Sequence, residues 1–175
     1  GDLFIANDPH VAGGTHLPDI NMAMPVFVEG KLVAFVANLA HHADVGGAAR
    51  GSMAGGLFEI YQEGLRIPVM RLYRKGEIDS ELFELLLLNM RLPEERKGDL
   101  NAQIAACRLG VQRMQQLCAR YSTEVVEAAF GEILLAFDDP WPQASINPRR
   151  PGAEGKAARR DLGYGLWPRG SGAAG

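Results

Sequence analysis

The sequence predicts an α+β fold: a β-hairpin and sheet region over about residues 1–75, then long helices over about 80–137, as part of a larger domain with an irregular C-terminal tail. Three observations predict it. The stretch "INMAMPVFVEGKLVAFVANLA" reads as two apolar strands around a Glu29-Gly30 turn, the pattern of a β-hairpin. From Asp79 onward the apolar residues recur at helical spacing. After Phe137 no apolar period continues.

Taken in order, Leu3 to Ala6 is a short apolar strand that ends in the turn signal "NDP". A Gly/Pro-rich loop leads to the hairpin, where Pro25 points to an edge position or a bulge, because proline cannot donate to a ladder. The segment "VGGAARGSMAGGL" carries five glycines, which suits a mobile loop or close approach of backbone. "EIYQEGLRIPVMRLYRKGEI" reads as loop, short strand and a turn at Lys75-Gly76. Asp79 or Ser80 caps a helix, Glu81 and Glu84 suit its positive N-terminal end, and Leu82, Leu85, Leu86 and Met90 line one face. Pro93 is expected to end that helix and Asp99 to precede a longer one, with Ile104, Cys107, Val111, Met114, Leu117 and Cys118 as apolar positions and a break near Tyr121-Ser122.

Residues 1–137 are therefore read as one partial domain and 138–175 as a low-complexity, disordered or aberrant tail. That tail holds both tryptophans, five of the ten prolines and seven of the 21 glycines, with nothing periodic to pack. The chain starts without Met and goes directly into a strand, which is read as an internal fragment.

The net charge of −3 supplies no electrostatic attraction for nucleic acid or a membrane surface. No apolar run reaches the roughly 20 residues a spanning helix needs. Cys107 and Cys118, on one helix, cannot bridge, and they read as buried thiols of a reducing, cytoplasmic setting.

Histidine usage is uneven: three of the four lie in "GGTHLPD" and "HHADVGG", and residues 43–175 contain none. If Glu29-Gly30 is a two-residue turn, Val28 pairs with Lys31, Asp19 faces Ala40, His41 faces Pro18, and His16 lies just beyond. The open end of the hairpin then gathers His16, Asp19, His41, His42 and Asp44. Neutral imidazoles with a carboxylate suit Zn²⁺, Mn²⁺ or Fe²⁺, with open positions left for water or substrate. The competing reading is that such residues cap turns. Pairing cannot choose between His41 and His42, because one residue of slip exchanges their faces. Asp8 reads as a turn former and His10 as an ordinary loop residue.

Four blocks, "GDLFIANDPHVAGGTHLPD", "VAFVANLAHHADVGG", "EIYQEGLRIP" and "NMRLPEERKGDLNAQIAACR", together resemble the hydantoinase B/oxoprolinase family over about residues 1–135. The resemblance implies that His16, Asp19 and His41 bind the metal (Mn, Zn or Fe), with His42 and Asp44 in supporting or substrate-facing roles. It offers Glu59, with Tyr61, Gln62 and Glu63, as pocket residues, and His42, Asp44 and Glu59 as catalytic candidates. Asn89, Arg91, Arg96 and Asp99 are expected to fix the packing of the two helices. In the family, ring opening is coupled to ATP handled by an A-type subunit or domain, and no "GxxxxGK[ST]" motif occurs here. The implied function is the B-type subunit of an ATP-coupled hydrolase of 5-oxoproline or hydantoin-like rings. The alternatives are a large-subunit fragment of an acetone-type carboxylase or an inactive truncated fragment. Family members are several-fold longer and the tail departs from their pattern, so an internal segment with a shifted reading frame at its end is expected.

Overall fold

The computed structural model describes residues 1–138, with side chains described as far as residue 134. The expected irregular tail thus falls outside the described residues, apart from Asp138. Contact density divides the chain into Gly1–Glu127 and Ala128–Gly175.

Five strands form one antiparallel sheet: β1 Leu3–Ala6, β2 Asp19–Val28, β3 Lys31–His41, β4 Met70–Arg74 and β5 Glu77–Ile78. Their spatial order is β3-β2-β1-β4-β5. Three α-helices follow, α1 Ser80–Leu88, α2 Pro93–Tyr121 and α3 Thr123–Asp138. The α+β class is as the sequence predicts.

The hairpin turn has φ of +50° at Glu29 and +82° at Gly30, so both central residues are left-handed. That twist matches the twist of the flanking strands, and glycine adopts it without strain. Along β2, Ile20, Met22, Met24 and Val26 are buried while the alternate residues are partly or largely exposed. The buried face packs on α2 and joins Leu3, Ile5, Leu72, Leu82, Phe83, Leu86, Leu100 and Ile104 in one core. The opposite face of β2 and β3 carries the exposed apolar side chains Phe27, Leu32 and Leu39.

The hairpin contains a β-bulge that the two-residue turn does not announce. Phe27 pairs with Leu32, but Val26 pairs with Ala34, so Val33 is an extra residue on β3. Beyond it every pairing is shifted by one, and Asp19 faces His41 rather than Ala40. Pro18 is met by His42, whose N–H donates to the Pro18 carbonyl at 2.8 Å. Pro25 fits both of its readings: β1 pairs with β2 only as far as Ala23, so the strand is locally an edge there, and the bulge begins one residue on.

Several helix expectations need correction. Pro93 does not end a helix; α1 stops at Leu88, with Asn89 as its C-cap, and Pro93 opens α2. Proline suits that first position because its missing N–H has no partner there anyway. Asp99 therefore lies inside α2. Leu85 is exposed, and Phe83 and Leu87 occupy the core with Leu82, Leu86 and Met90. "LFELLLL" is nearly uniform in polarity, so spacing could not select its inner face; packing against α2 and the sheet does. Leu117 is likewise exposed. Asp79 caps α1 by accepting from the Leu82 N–H at 3.0 Å, and the break at Tyr121-Ser122 is present. Cys107 and Cys118 are both buried free thiols. Among the described residues no helix is long and apolar enough to cross a membrane.

Candidate metal centre

Asp19 begins β2 and His41 ends β3, and the shifted register sets them opposite each other on the exposed face. His16 reaches the same point from the loop before β2, whose tight course is fixed by the Asp19 N–H donating to the His16 carbonyl at 3.2 Å. His16 Nε2 lies 3.1 Å from His41 Nδ1, and His41 Nδ1 lies 3.1 Å from Asp19 Oδ1. His16 Nδ1 is 3.3 Å from Asp19 Oδ2. The Thr15 hydroxyl donates to Asp19 Oδ2 at 3.1 Å and meets His16 Nδ1 at 3.0 Å.

Potential ligand atoms from these three side chains all lie within 4.8 Å of one another. Two nitrogens bound to one ion at about 2.1 Å, with angles between square and tetrahedral, lie roughly 3.0–3.4 Å apart. The 3.1 Å between the two imidazoles falls in that window. Two neutral imidazoles and one carboxylate are also the donor set that suits Zn²⁺, Mn²⁺ or Fe²⁺. His16, Asp19 and His41 are all solvent-accessible, which leaves a side open for water or substrate.

The other sequence candidates lie outside this cluster. His42, just past the end of β3, is 1% exposed and lies on the buried side. Its Nε2 meets the Gln103 amide oxygen at 2.8 Å and its Nδ1 has no partner. Burial disfavours the imidazolium and outweighs the Gln103 contact, so the His42 pKa is lowered. Asp44 is buried beneath the glycine-rich loop, where it accepts from the N–H groups of Gly46 at 2.7 Å and Gly51 at 2.8 Å. It also pairs with Arg91 at 3.0 Å. Burial pushes the Asp44 carboxyl up, but these backbone donors and Arg91 outweigh it and hold it below the ordinary carboxylate range.

Glu59 is exposed at the start of a short 3₁₀ turn, Ile60–Gln62, where Gln62 Oε1 accepts from the N–H groups of Phe58 and Glu59 at 2.8 and 3.0 Å. Tyr61 lines a separate hollow with Asp8, Val11, Leu65 and Arg66.

The helix-end residues act differently from expectation. Arg91 does not pack helix on helix; its guanidinium binds the carbonyls of Gly46, Gly47 and Ala49 and so holds the glycine-rich loop. The loop must come that close: a Cβ on Gly46 would lie 2.5 Å from the Asn89 carbonyl oxygen. Arg96 is buried within α2 and pairs with Asp99 at 3.1 Å and Glu95 at 3.4 Å. Asp8 makes its expected turn, accepting from the His10 N–H, and also binds Arg66 at 2.6 Å. Thr15 and Gln103 were missed by sequence reasoning. A hydroxyl four residues before Asp19 was a usable signal for the first; Gln103 has none, because its partners Ile20, Asn38 and His42 lie on, or directly after, the two hairpin strands, far from it in sequence.

Residues 1–137 match the hydantoinase B/oxoprolinase family. The chain belongs to that family. Caprolactamase subunit beta of Pseudomonas jessenii is 36% identical over 167 residues, covering 95% of this chain and 28% of that protein. The crystal structure of the ATP-dependent caprolactamase from that organism aligns with a TM-score of 0.71 at 39% identity, over 75% of this chain and 23% of that one. The 5-oxoprolinase of Dictyostelium discoideum is 38% identical over 128 residues, 73% of this chain and 10% of that enzyme. Nucleotide-free acetone carboxylase aligns with a TM-score of 0.68 at 25% identity, over 72% of this chain and 16% of that chain. The hydantoinase B-type chain described here thus spans between about a tenth and a little over a quarter of the length of these relatives.

Proposed function

We propose that this chain is the metal-bearing segment of a B-type subunit in an ATP-coupled hydrolase of cyclic amides, with 5-oxoproline or hydantoin-like rings as substrates. The convergence of His16, Asp19 and His41 in a chain of this family carries the reading. ATP is assigned to an A-type partner subunit or domain, in keeping with the subunit naming and the ATP dependence of the caprolactamase relative. The proposed setting is the cytoplasm.

A divalent Mn, Zn or Fe ion, when bound, supplies Lewis-acid polarisation and a water acidified toward neutrality. His16 and His41 bind through neutral rings, and Asp19 contributes the one negative charge of the set. Thr15 orients Asp19 and His16 by hydrogen bonding, as outer-sphere partners do. His42 and Asp44, both buried, hold the backbone of the segments that bear the site. Glu59, an exposed carboxylate, is the proton-transfer candidate among the three residues.

A carboxylase role is the second reading, favoured by the fold likeness to acetone carboxylase. Phosphate release by the full-length protein with its partner and ATP separates the two. Release that depends on 5-oxoproline or hydantoin supports the hydrolase, and release that needs acetone with bicarbonate supports the carboxylase. Metal analysis should find a stoichiometric ion that His16→Ala and His41→Ala both lose. Variants that keep both ion and activity would overturn the metal assignment.

A further inference from the structure

Gln103 sits in the first half of α2, is 6% exposed, and bonds the β2 and β3 ends that carry Asp19 and His41. Its Nε2 donates to the Ile20 carbonyl at 2.9 Å and to Asn38 Oδ1 at 2.8 Å. Its Oε1 meets His42 Nε2 at 2.8 Å, and its backbone carbonyl accepts from Asn38 Nδ2 at 2.9 Å. A carbonyl can only accept, so the Ile20 contact fixes which end of the amide is nitrogen. The amide oxygen must then face His42, and His42 must carry its proton on Nε2. The network is self-consistent, with every Gln103 polar group engaged.

Its anchor points are informative. Ile20 adjoins Asp19, His42 adjoins His41, and Asn38 lies three residues before His41 on the same strand. The His42 N–H meanwhile ties to the carbonyl of Pro18, which lies between His16 and Asp19. One buried side chain on a helix therefore holds the β2 and β3 ends from beneath, while Asp19 and His41 project from the opposite face. Both ends lie past a bulge, where the ladder has already slipped once, so strand pairing alone specifies their alignment weakly.

We propose that Gln103 is a positioning residue for the metal cluster: it locks the Asp19 and His41 backbone ends in the register at which a divalent cation is held. This inference rests on the metal assignment above. Outer-sphere residues that orient ligands typically carry a 10–100-fold effect on metal affinity, and the same range is expected for Gln103.

The test is Zn²⁺ and Mn²⁺ titration calorimetry on the chelator-stripped full chain, with thermal unfolding measured on each variant. Gln103→Leu should weaken binding about 10–100-fold. Gln103→Glu keeps the shape and the acceptor for His42 but offers no donor to Ile20, and it should also weaken binding; it serves if Gln103→Leu does not fold. Ile104→Val, in the core on the next residue of the helix, is the control: it should lower the melting temperature and leave affinity at the wild-type value. Gln103 variants that bind as wild type does would overturn the inference, as would an equal loss of affinity in Ile104→Val at a matched melting temperature. A wild-type chain that takes up neither ion would overturn the metal assignment and the inference together, and so differs visibly from failure of the inference alone.

Discussion

At the scale of single residues, Asp44 is the most heavily engaged carboxylate among the described residues, with three backbone N–H donors, from Gly46, Gly51 and Arg91, and the Arg91 guanidinium. Asp44→Asn keeps the shape but removes the charge that Arg91 and the loop N–H groups address. It should cost about 1–3 kcal/mol, the range for leaving such partners poorly satisfied, read by urea unfolding at pH 7. The sign of the pH dependence follows from the lowered carboxyl pKa in the folded chain. The unfolded carboxyl titrates near 3.9, so the Asp44 contribution is fully present above that value and is lost as pH falls through the lower folded one. Wild-type stability should therefore fall across the acid range, and Asp44→Asn should show a shallower fall. An acid limb of unchanged slope would count against Asp44 as its source. Thr15 offers a second check: Thr15→Val preserves the volume and removes the hydroxyl that touches His16 and Asp19. It should reduce metal affinity about 10-fold or more with little change in melting temperature.

At the scale of elements, the decisive feature is the bulge at Val33. Without it the hairpin would set Asp19 against Ala40 and turn His41 toward α2. Inserting one alanine between Ala40 and His41 should recreate that arrangement, placing the new residue opposite Asp19 and abolishing stoichiometric metal uptake. Deleting Val33 removes the kink but leaves Asp19 opposite His41, so the ion should still bind. Equal behaviour of the two variants would sink the register argument. The sheet–helix interface is tight near the same region: a Cβ on Gly110 would lie 2.5 Å from Val36 Cγ1. Gly110→Ala should cost about 1–3 kcal/mol through overpacking, partly offset by the better helix propensity of alanine. Differential scanning calorimetry checks the net loss. Both features explain why the hairpin was legible and its register was not. "VEGK" specifies a two-residue turn locally, whereas a bulge depends on how the strand meets the helix.

At the scale of the molecule, the described unit Gly1–Glu127 buries one face of its sheet beneath helices and leaves Phe27, Leu32 and Leu39 exposed on the other. Contiguous apolar patches of this kind are uncommon on the surfaces of self-contained monomers. This chain should bind an apolar fluorescent dye, and Leu32→Lys with Leu39→Lys should cut that signal while shifting stability by no more than about 0.5 kcal/mol. Undiminished dye binding would place the patch elsewhere.

The sequence carries enough local information for the strands, the hairpin turn, the helix break and the clustering of histidines with Asp19. Each depends on neighbours along the chain: turn residues, period, and two short His/Asp segments joined by one hairpin. Tertiary structure decided the rest. Slip of a single residue separates His41 from His42 and costs the local sequence almost nothing, so its resolution falls to contacts from α2: Gln103 beneath Ile20, Asn38 and His42, and Gly110 against Val36. The same holds for Leu85 and Arg91. In a leucine-rich helix with few polar positions, or in a glycine-rich loop, only the packed neighbours determine which face is inward and which carbonyls need a cation.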